Sequence, residues 1–185
     1  DLNKFKMPID KWNYENIKFA MISRLKKKKG YEIYLKACEL LNKDSKNNKF
    51  TLLAGYKSSL NKINEIKKEY TSTQVLNFRR DMNLFLQNID CVILPSIYNE
   101  GTPKVLIEAL ACGCAIITMD RPGCSDTVKN GVNGYLMNNF DPKELSKLMK
   151  RYVNLDKDLK RNFSYESRKL AEEEFNQNII IDLYK

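Results

Sequence analysis

The chain alternates short runs of apolar, often β-branched residues with longer segments in which apolar positions recur at helical spacing. The runs predict six strands: Ile17–Ile22, Phe50–Ala54, Gln74–Phe78, Cys91–Pro95, Ala115–Thr118 and Gly134–Met137. Several of them are almost wholly apolar, which is typical of parallel strands that helices cover on both faces. The alternation therefore predicts an α/β fold, a Rossmann-like parallel sheet of about six strands flanked by helices.

The helical segments follow the strands, and one of them carries a clear start signal. It begins at the capping residue Asp141, has Pro142 in the first helical position, and shows an apolar face from Leu145 onward. The other predicted helices are Tyr31–Leu41, Leu60–Tyr70, Met82–Leu86 and Pro103–Ala111. From Asp156 to Lys185 the pattern is helical and charged, and its apolar end from Phe175 requires a packing partner.

Composition removes several classes of function. The chain has no histidine and no CxxC pair, so a zinc site is not expected and Ser–His or Cys–His catalytic pairs are excluded within it. Its five cysteines are an odd number without paired spacing, which favours free thiols in a reducing cytoplasm. No apolar run reaches the roughly 18–20 residues that span a bilayer. The net charge of +9 favours phosphate, anionic lipid or nucleic acid as a partner without choosing among them.

In an open parallel sheet, ligands bind beyond the carboxyl ends of the strands. The loop after the first predicted strand runs from Ser23 to Gly30 and places Arg24 at the strand end and Lys29 before the next helix. An anion there would meet a guanidinium, an ammonium and the amides of a helix start. Lysines in a surface loop are also commonly only solvated, and the loop alone leaves both interpretations open.

The loop after the fourth strand, Asn99–Gly113, is the most informative segment. We expect Thr102 to cap the following helix and Pro103 to open it, which leaves the amides from Gly101 to Val105 free for an anion or a hydroxyl. Glu100 lies in the loop just before this helix.

Glu108 is unusual because apolar residues surround it in the sequence, so the helix looks buried on all sides. A carboxylate in such a helix needs a partner or a ligand. One interpretation is an ion pair with a nearby lysine. The other is a carboxylate that accepts hydrogen bonds from a ligand diol such as a ribose. The residues themselves leave both open.

Taken in order, these motifs resemble the C-terminal, nucleotide-sugar-binding domain of the retaining glycosyltransferases of family 4, which have the two-domain GT-B fold. The resemblance extends from about Ile17 to the end of the chain. The matching motifs are Ser23–Leu25 with Lys29–Gly30, Gly55, Val75–Phe78, Glu100–Cys114 with its two glutamates eight apart, Asp120–Cys124 and Asn130–Leu136.

The resemblance implies a role for each matched residue. Arg24 and Lys29 contact the diphosphate, Glu100 contacts hydroxyls of the donor sugar, and Glu108 contacts the ribose. The implied catalytic residues are Glu100, Arg24 and Lys29. The implied donor-binding residues are Ser23, Arg24, Lys29, Glu100, Gly101, Thr102, Pro103, Lys104, Val105 and Glu108. The scheme requires no metal and no other cofactor, because cationic side chains can stabilise the departing nucleotide diphosphate.

Two residues depart from the family pattern. Ser23 replaces the usual glycine before the phosphate-loop arginine, which restricts how closely the backbone approaches a phosphate. Arg79 replaces a glycine that often follows the third strand, which leaves recognition of the base in that loop open. A UDP-sugar is the expected donor, with GDP left open as the nucleotide, and a glycan or lipid-linked molecule is the expected acceptor.

The same resemblance predicts how the chain is organised. Residues 1–16 are expected to be a linker segment and residues 17–185 the donor-binding domain, with the N-terminal acceptor domain absent. The start at Asp1 without methionine fits a fragment, which alone would bind donor without efficient transfer. The apolar terminal helix would cross back to the other domain. Relatives that build lipopolysaccharide, capsule or lipid-linked oligosaccharides imply a cytoplasmic protein with peripheral contact to the inner face of a membrane.

Two alternatives belong to other classes. A non-catalytic nucleotide or nucleic-acid-binding α/β domain would use the basic surface, but no nucleic-acid motif occurs and aromatic residues are not interleaved with the basic runs. We therefore expect no nucleic acid partner. A sugar epimerase or a phosphorylase of similar architecture would need histidines or a cofactor lysine that the sequence does not place.

Overall fold

The computed structural model describes residues 2–9, 14–99 and 101–176. Two predictions therefore lie outside the described residues: the placement of Glu100, and the apolar end of the chain beyond Asn176. The strands are β1 (Lys18–Ser23), β2 (Lys49–Ala54), β3 (Thr73–Leu76), β4 (Cys91–Leu94), β5 (Ala115–Met119) and β6 (Gly134–Met137). All five pairings are parallel, and the order across the sheet is β3-β2-β1-β4-β5-β6. The predicted six-stranded parallel sheet is confirmed.

Helices connect the strands as predicted, with small differences at their ends. They are α1 (Tyr31–Asp44), α2 (Leu60–Glu69), α3 (Met82–Gln87), α4 (Lys104–Ala111), α5 (Pro142–Val153) and α6 (Lys157–Glu174), with single 3-10 turns at Lys27–Lys29 and Ser125–Thr127. Side-chain caps start three of them, because Ser59, Asp141 and Asp156 each accept a bond from an amide in the first turn. Helix α1 packs on α5 and α4 packs on α6, so helix layers flank the sheet.

The strand ends differ from the predicted ones where a side chain leaves the sheet. β3 ends at Leu76, two residues before the predicted end, and Phe78 is 47% exposed with its ring 5.4 Å from that of Tyr56. β4 ends at Leu94 because Pro95 has no amide hydrogen to donate to a neighbouring strand.

All five cysteines are buried free thiols. None of the helices among the described residues is long and apolar enough to cross a membrane.

The segment Leu2–Ile9 lies against the helices that follow β3, β4 and α5. The Arg168 guanidinium donates to the carbonyls of Phe5 (2.8 Å) and Ala111 (2.7 Å), and the Gln87 amide donates to the carbonyl of Lys6 (3.0 Å). An arginine that satisfies two carbonyls at once fixes this part of the predicted linker on the end of α4. The domain boundary itself stays a prediction.

Candidate functional site

The order in which successive strands are added to the sheet reverses at β1. β2 lies on one side of β1 and β4 on the other, and the chain reaches them by connections that run opposite ways from this point. Loops that leave neighbouring strands in opposite directions open a crevice at the carboxyl ends, which is where ligands of such sheets bind. The loops after β1 and β4 therefore border the same crevice.

The loop after β1 contacts the end of β4 at very close range. Gly30 follows the Lys27–Lys29 turn, has φ 78° and is the N-cap residue of α1. A Cβ atom at this position would lie 2.0 Å from the Pro95 carbonyl oxygen. Only glycine allows both the left-handed conformation and this approach, so the predicted lysine–glycine start of α1 is confirmed and has a steric reason.

Hydrogen bonds then join the Lys27–Lys29 turn to the loop after β4. The Ile97 amide donates to the Lys28 carbonyl (2.9 Å), and the Ser96 hydroxyl reaches the same oxygen (3.4 Å). The Lys28 ammonium lies 4.5 Å from the centre of the Tyr98 ring, within cation–π range. The cationic turn that contains Lys29 and the loop that leads to Glu100 are thus fixed beside each other.

The start of α4 differs from the prediction by one residue. Pro103 is the N-cap residue, the helix begins at Lys104, and the expected cap by Thr102 is wrong. The Pro103 carbonyl accepts from the amides of Leu106 (2.9 Å) and Ile107 (3.3 Å). The amides of Lys104 and Val105 precede these and have no backbone partner among the described residues.

The sequence predicted that helix α4 would be buried on all sides, and this prediction is wrong. Val105 and Ile107 are partly exposed, and the Glu108 side chain is 17% exposed. A Glu108 oxygen lies 3.7 Å from the Lys104 ammonium, which is itself 88% exposed. Burial raises the pKa of the Glu108 carboxyl above its ordinary value, and the positive charge of Lys104 offsets part of that rise. A long ion pair to such an exposed lysine contributes little, so the carboxylate stays available to a ligand.

A second cleft, of about 620 Å³, opens on the β2 side of β1. It is lined by Arg24, Leu25, Lys26, Tyr56, Lys57, Ser58, Ser59 and Lys62. Four of these side chains are cationic, and no carboxylate belongs to the described residues that line it. The loop after β2 is fixed to the end of β1 because the Gly55 amide donates to the Ser23 carbonyl (2.8 Å). An anion in this cleft would meet converging positive charge.

The predicted site residues are therefore divided by β1. Arg24 lies on the β2 side, whereas the turn that ends at Lys29 and the start of α4 lie toward β4. Ser23 is buried at the end of β1, and its hydroxyl donates to the Arg24 carbonyl (3.2 Å). Lys57 and Lys62 were not among the predicted residues. The sequence signal near them is a glycine and two serines, Gly55, Ser58 and Ser59, at a strand end, which is typical of a turn.

Arg121 was also without a predicted role. Its guanidinium Nη1 donates to the Ile97 carbonyl (3.0 Å) and to the Asn99 side-chain oxygen (3.3 Å), and so joins the loop after β5 to the loop after β4. The sequence places Arg121 in the Asp120–Cys124 motif, but no local pattern indicates which residues it contacts.

Comparisons with known proteins show the family of the chain. The sequence profile of the family described as "Glycosyl transferases group 1" matches residues 3–170. The N,N'-diacetylbacillosaminyl-diphospho-undecaprenol alpha-1,3-N-acetylgalactosaminyltransferase of Campylobacter jejuni is 31% identical over 169 residues, which are 89% of this chain and 42% of that protein. The chain thus spans less than half the length of that relative.

Solved structures share the fold at low identity. Anabaena Alr3699/HepE in complex with UDP-glucose superposes with a TM-score of 0.81 at 22% identity, covering 100% of this chain and 55% of that one. The C-terminal domain of the glycosyl transferase group 1 protein LpcC from Francisella tularensis has a TM-score of 0.80 at 16% identity, covering 96% and 98%. The predicted resemblance in fold to the C-terminal part of GT-B glycosyltransferases is confirmed.

Proposed function

We propose that this chain, which belongs to the group 1 glycosyl transferases, binds the nucleotide-diphosphate sugar donor, a UDP-sugar, of a retaining glycosyltransferase of family 4. The observation that carries the proposal is the junction at the end of β1. There the Ile97 amide bonds to the Lys28 carbonyl and Gly30 abuts Pro95, which fixes a cationic turn beside the loop that leads into α4. The cationic turn and the helix-start amides lie on one side of β1 and the cleft lined by Arg24 on the other, and together they match a sugar diphosphate.

Each predicted residue then has a physical task. Arg24 and Lys29 hold the diphosphate and stabilise the negative charge that develops as the nucleotide leaves, so neither a metal nor another cofactor is needed. The amides at the start of α4 contact the sugar and the phosphate. Glu100 accepts from hydroxyls of the donor sugar. The full set of proposed donor contacts is Ser23, Arg24, Lys29, Glu100, Gly101, Thr102, Pro103, Lys104, Val105 and Glu108.

Glu108 is the proposed ribose contact. Its carboxylate is mostly buried, and the Lys104 ammonium at 3.7 Å is 88% exposed. Two ribose hydroxyls can donate to one carboxylate, and hydrogen bonds to charged groups contribute about 1.5–3 kcal/mol each. Burial of Glu108 therefore serves recognition of a sugar diol better than it serves a weak surface ion pair.

The nucleotide and the acceptor rest on relatives. The Anabaena protein with a similar fold holds UDP-glucose, which supports UDP as the nucleotide. The Campylobacter relative acts on a diphospho-undecaprenol-linked sugar by its name, which supports a glycan or lipid-linked acceptor here. We propose that the N-terminal domain of the same protein completes the acceptor side, in the cytoplasm and in peripheral contact with the inner face of the membrane.

Membrane contact is testable apart from donor binding. The chain carries 32 Lys and Arg against 23 Asp and Glu, and each cation near an anionic surface contributes about 1 kcal/mol of attraction. Flotation with vesicles of neutral and of anionic lipid should show binding only to the anionic ones. Equal behaviour with both would contradict the proposed peripheral contact and leave donor binding unaffected.

Donor binding is tested by titrating the chain with UDP, GDP, ADP and their common sugar conjugates in a calorimeter. We expect selective binding of UDP and one or more UDP-sugars, and a loss of at least about tenfold in affinity for Arg24→Met, the size of one charge-assisted hydrogen bond. Arg161→Met is the matched control, because Arg161 pairs with Asp158 on the surface of α6. Binding without nucleotide selectivity, or an equal loss in the control, would refute the proposal.

A further inference from the structure

Arg121 and Lys28 both form a hydrogen bond with the same residue of the loop after β4, which is Ile97. Its guanidinium donates to the Ile97 carbonyl (3.0 Å), while the Ile97 amide donates to the Lys28 carbonyl (2.9 Å). Both polar groups of this one residue are thus satisfied by different loops. A second bond from Arg121 reaches the Asn99 side-chain oxygen (3.3 Å). The loop after β4 is fixed up to the residue that immediately precedes Glu100 in the sequence.

The turn that carries Arg121 is itself rigid. The Arg121 amide donates to the Met119 carbonyl (2.9 Å), and the Arg121 carbonyl accepts from both the amide (2.8 Å) and the hydroxyl (2.9 Å) of Ser125. The guanidinium carbon lies 4.8 Å from the centre of the Phe140 ring. A planar guanidinium within cation–π range of an aromatic ring presents its donors in a fixed fork, which a lysine ammonium cannot do.

We infer that Arg121 is a positioning residue, which fixes the loop Ser96–Asn99 on the side of the crevice where the sugar of the donor is proposed to lie. The inference rests on the proposed function. It predicts an effect on selectivity: Arg121 favours the nucleotide sugar over the free nucleotide through the loop it holds. Reacting groups must be held within about 0.5 Å, so a loop tied on both sides suits this task.

The test compares free UDP with the UDP-sugar that binds the unaltered chain most tightly, chosen among UDP-glucose, UDP-galactose and UDP-N-acetylglucosamine. We expect Arg121→Met to weaken binding of the UDP-sugar about tenfold, the size of one charge-assisted hydrogen bond, and binding of UDP less than about twofold. Arg121→Lys should recover part of the loss. Asn99→Ala breaks one of the same contacts without altering the turn after β5, and should shift the ratio in the same direction by less.

The matched control is Arg151→Met. Arg151 also lies over an aromatic ring, with its guanidinium carbon 4.6 Å from the centre of Tyr135, but it follows β6 on α5. It should leave the ratio of the two dissociation constants unchanged.

Two outcomes would overturn the inference while leaving the proposed function intact. Equal losses for UDP and the UDP-sugar in Arg121→Met would mean that Arg121 contacts the nucleotide part or acts only on folding. An unchanged ratio in both Arg121→Met and Asn99→Ala would mean that the loop does not govern sugar recognition. If the unaltered chain binds neither ligand, the proposed function fails and the inference fails with it.

Discussion

The two sides of β1 are built in different ways. On the β4 side, the chain is joined by backbone bonds and close packing, with Gly30 against Pro95 and Ile97 held between Lys28 and Arg121. On the β2 side, an open cleft of about 620 Å³ is lined by cations at the ends of long side chains. The backbone is fixed on both sides, since the Gly55 amide also donates to the Ser23 carbonyl (2.8 Å), and the difference lies in the long cationic side chains that line the open cleft.

This difference fits the demands of a donor substrate. The sugar and its reacting carbon need fixed partners, because misplacement by about 1 Å can cost on the order of a hundredfold in rate. A diphosphate mainly needs positive charge, which flexible lysines supply as point charges over a range of positions. We therefore expect substitutions on the β4 side to be severe and specific, and those of the lysines on the β2 side to be mild and dependent on salt.

The largest effect is expected from Gly30→Ala. The added methyl group would lie 2.0 Å from the Pro95 carbonyl oxygen, and alanine would also have to adopt φ 78°. Left-handed backbone at a non-glycine residue costs about 1–2 kcal/mol and overpacking about 1–3 kcal/mol more, so the free energy of unfolding should fall by about 2–5 kcal/mol. Urea unfolding measures this, and binding of the UDP-sugar should be lost with it.

Gly131→Ala separates the two causes. Gly131 has φ 79°, nearly that of Gly30, but a Cβ atom there would meet nothing within 4 Å. Only the conformational cost of about 1–2 kcal/mol should appear, and donor binding should not change. If both variants lose the same stability, the close contact between the loops after β1 and β4 does not stabilise the fold.

The second largest effect is expected from Glu108→Gln, which should weaken binding of UDP and raise the stability of the fold. Loss of the carboxylate should weaken binding of UDP about 10- to 100-fold, the range for hydrogen bonds to a charged group. Because burial raises the pKa of Glu108 in the folded chain, ionisation of this group destabilises the fold as pH rises through that pKa. The variant should therefore be more stable than the unaltered chain at pH 7, and the difference should vanish below the ordinary glutamate pKa of about 4.3.

Calorimetric titration and thermal unfolding at pH 4 and pH 7 check both parts. Glu173→Gln is the matched control, because Glu173 and Lys169 form an exposed pair of the same i, i+4 spacing on α6 (4.0 Å). A Glu108→Gln variant that binds UDP normally would restore the ion-pair interpretation of this residue.

Local signals in the sequence were enough for most of the fold. Apolar runs located all six strands, and the cap at Asp141 located α5, because these patterns arise from contacts within a few residues. The end of β3 and the start of α4 were placed wrongly by two residues and one residue, since Phe78 packs on Tyr56 and Pro103 serves as the cap. Boundaries depend on tertiary neighbours that propensity does not contain.

The candidate site was predictable only where a motif names its residues. The rule for carboxyl ends indicated the turn that ends at Lys29 and the loop before α4, and the family pattern assigned roles to their residues. Arg121 was not found, because its partners lie more than twenty residues away and meet it only through the strand order β1-β4-β5. The same holds for Lys57 and Lys62, which reach Arg24 only because β2 lies beside β1.

The smallest effect is expected on the β2 side of β1, from the double substitution Lys57→Met and Lys62→Met. Lys57 is exposed and the Lys62 ammonium already pairs with Glu65 (3.1 Å), so UDP binding should weaken only about threefold at low salt. The effect should disappear by about 0.5 M salt, where exposed charges are screened within a few ångströms.

Lys67→Met with Lys68→Met is the matched control, because it removes the same charge from the last turn of the same helix α2. A threefold loss in both pairs would indicate general attraction by net charge. A loss that persists at high salt would mean that the β2 side of β1 is as rigidly organised as the β4 side, and the contrast between the two would fail.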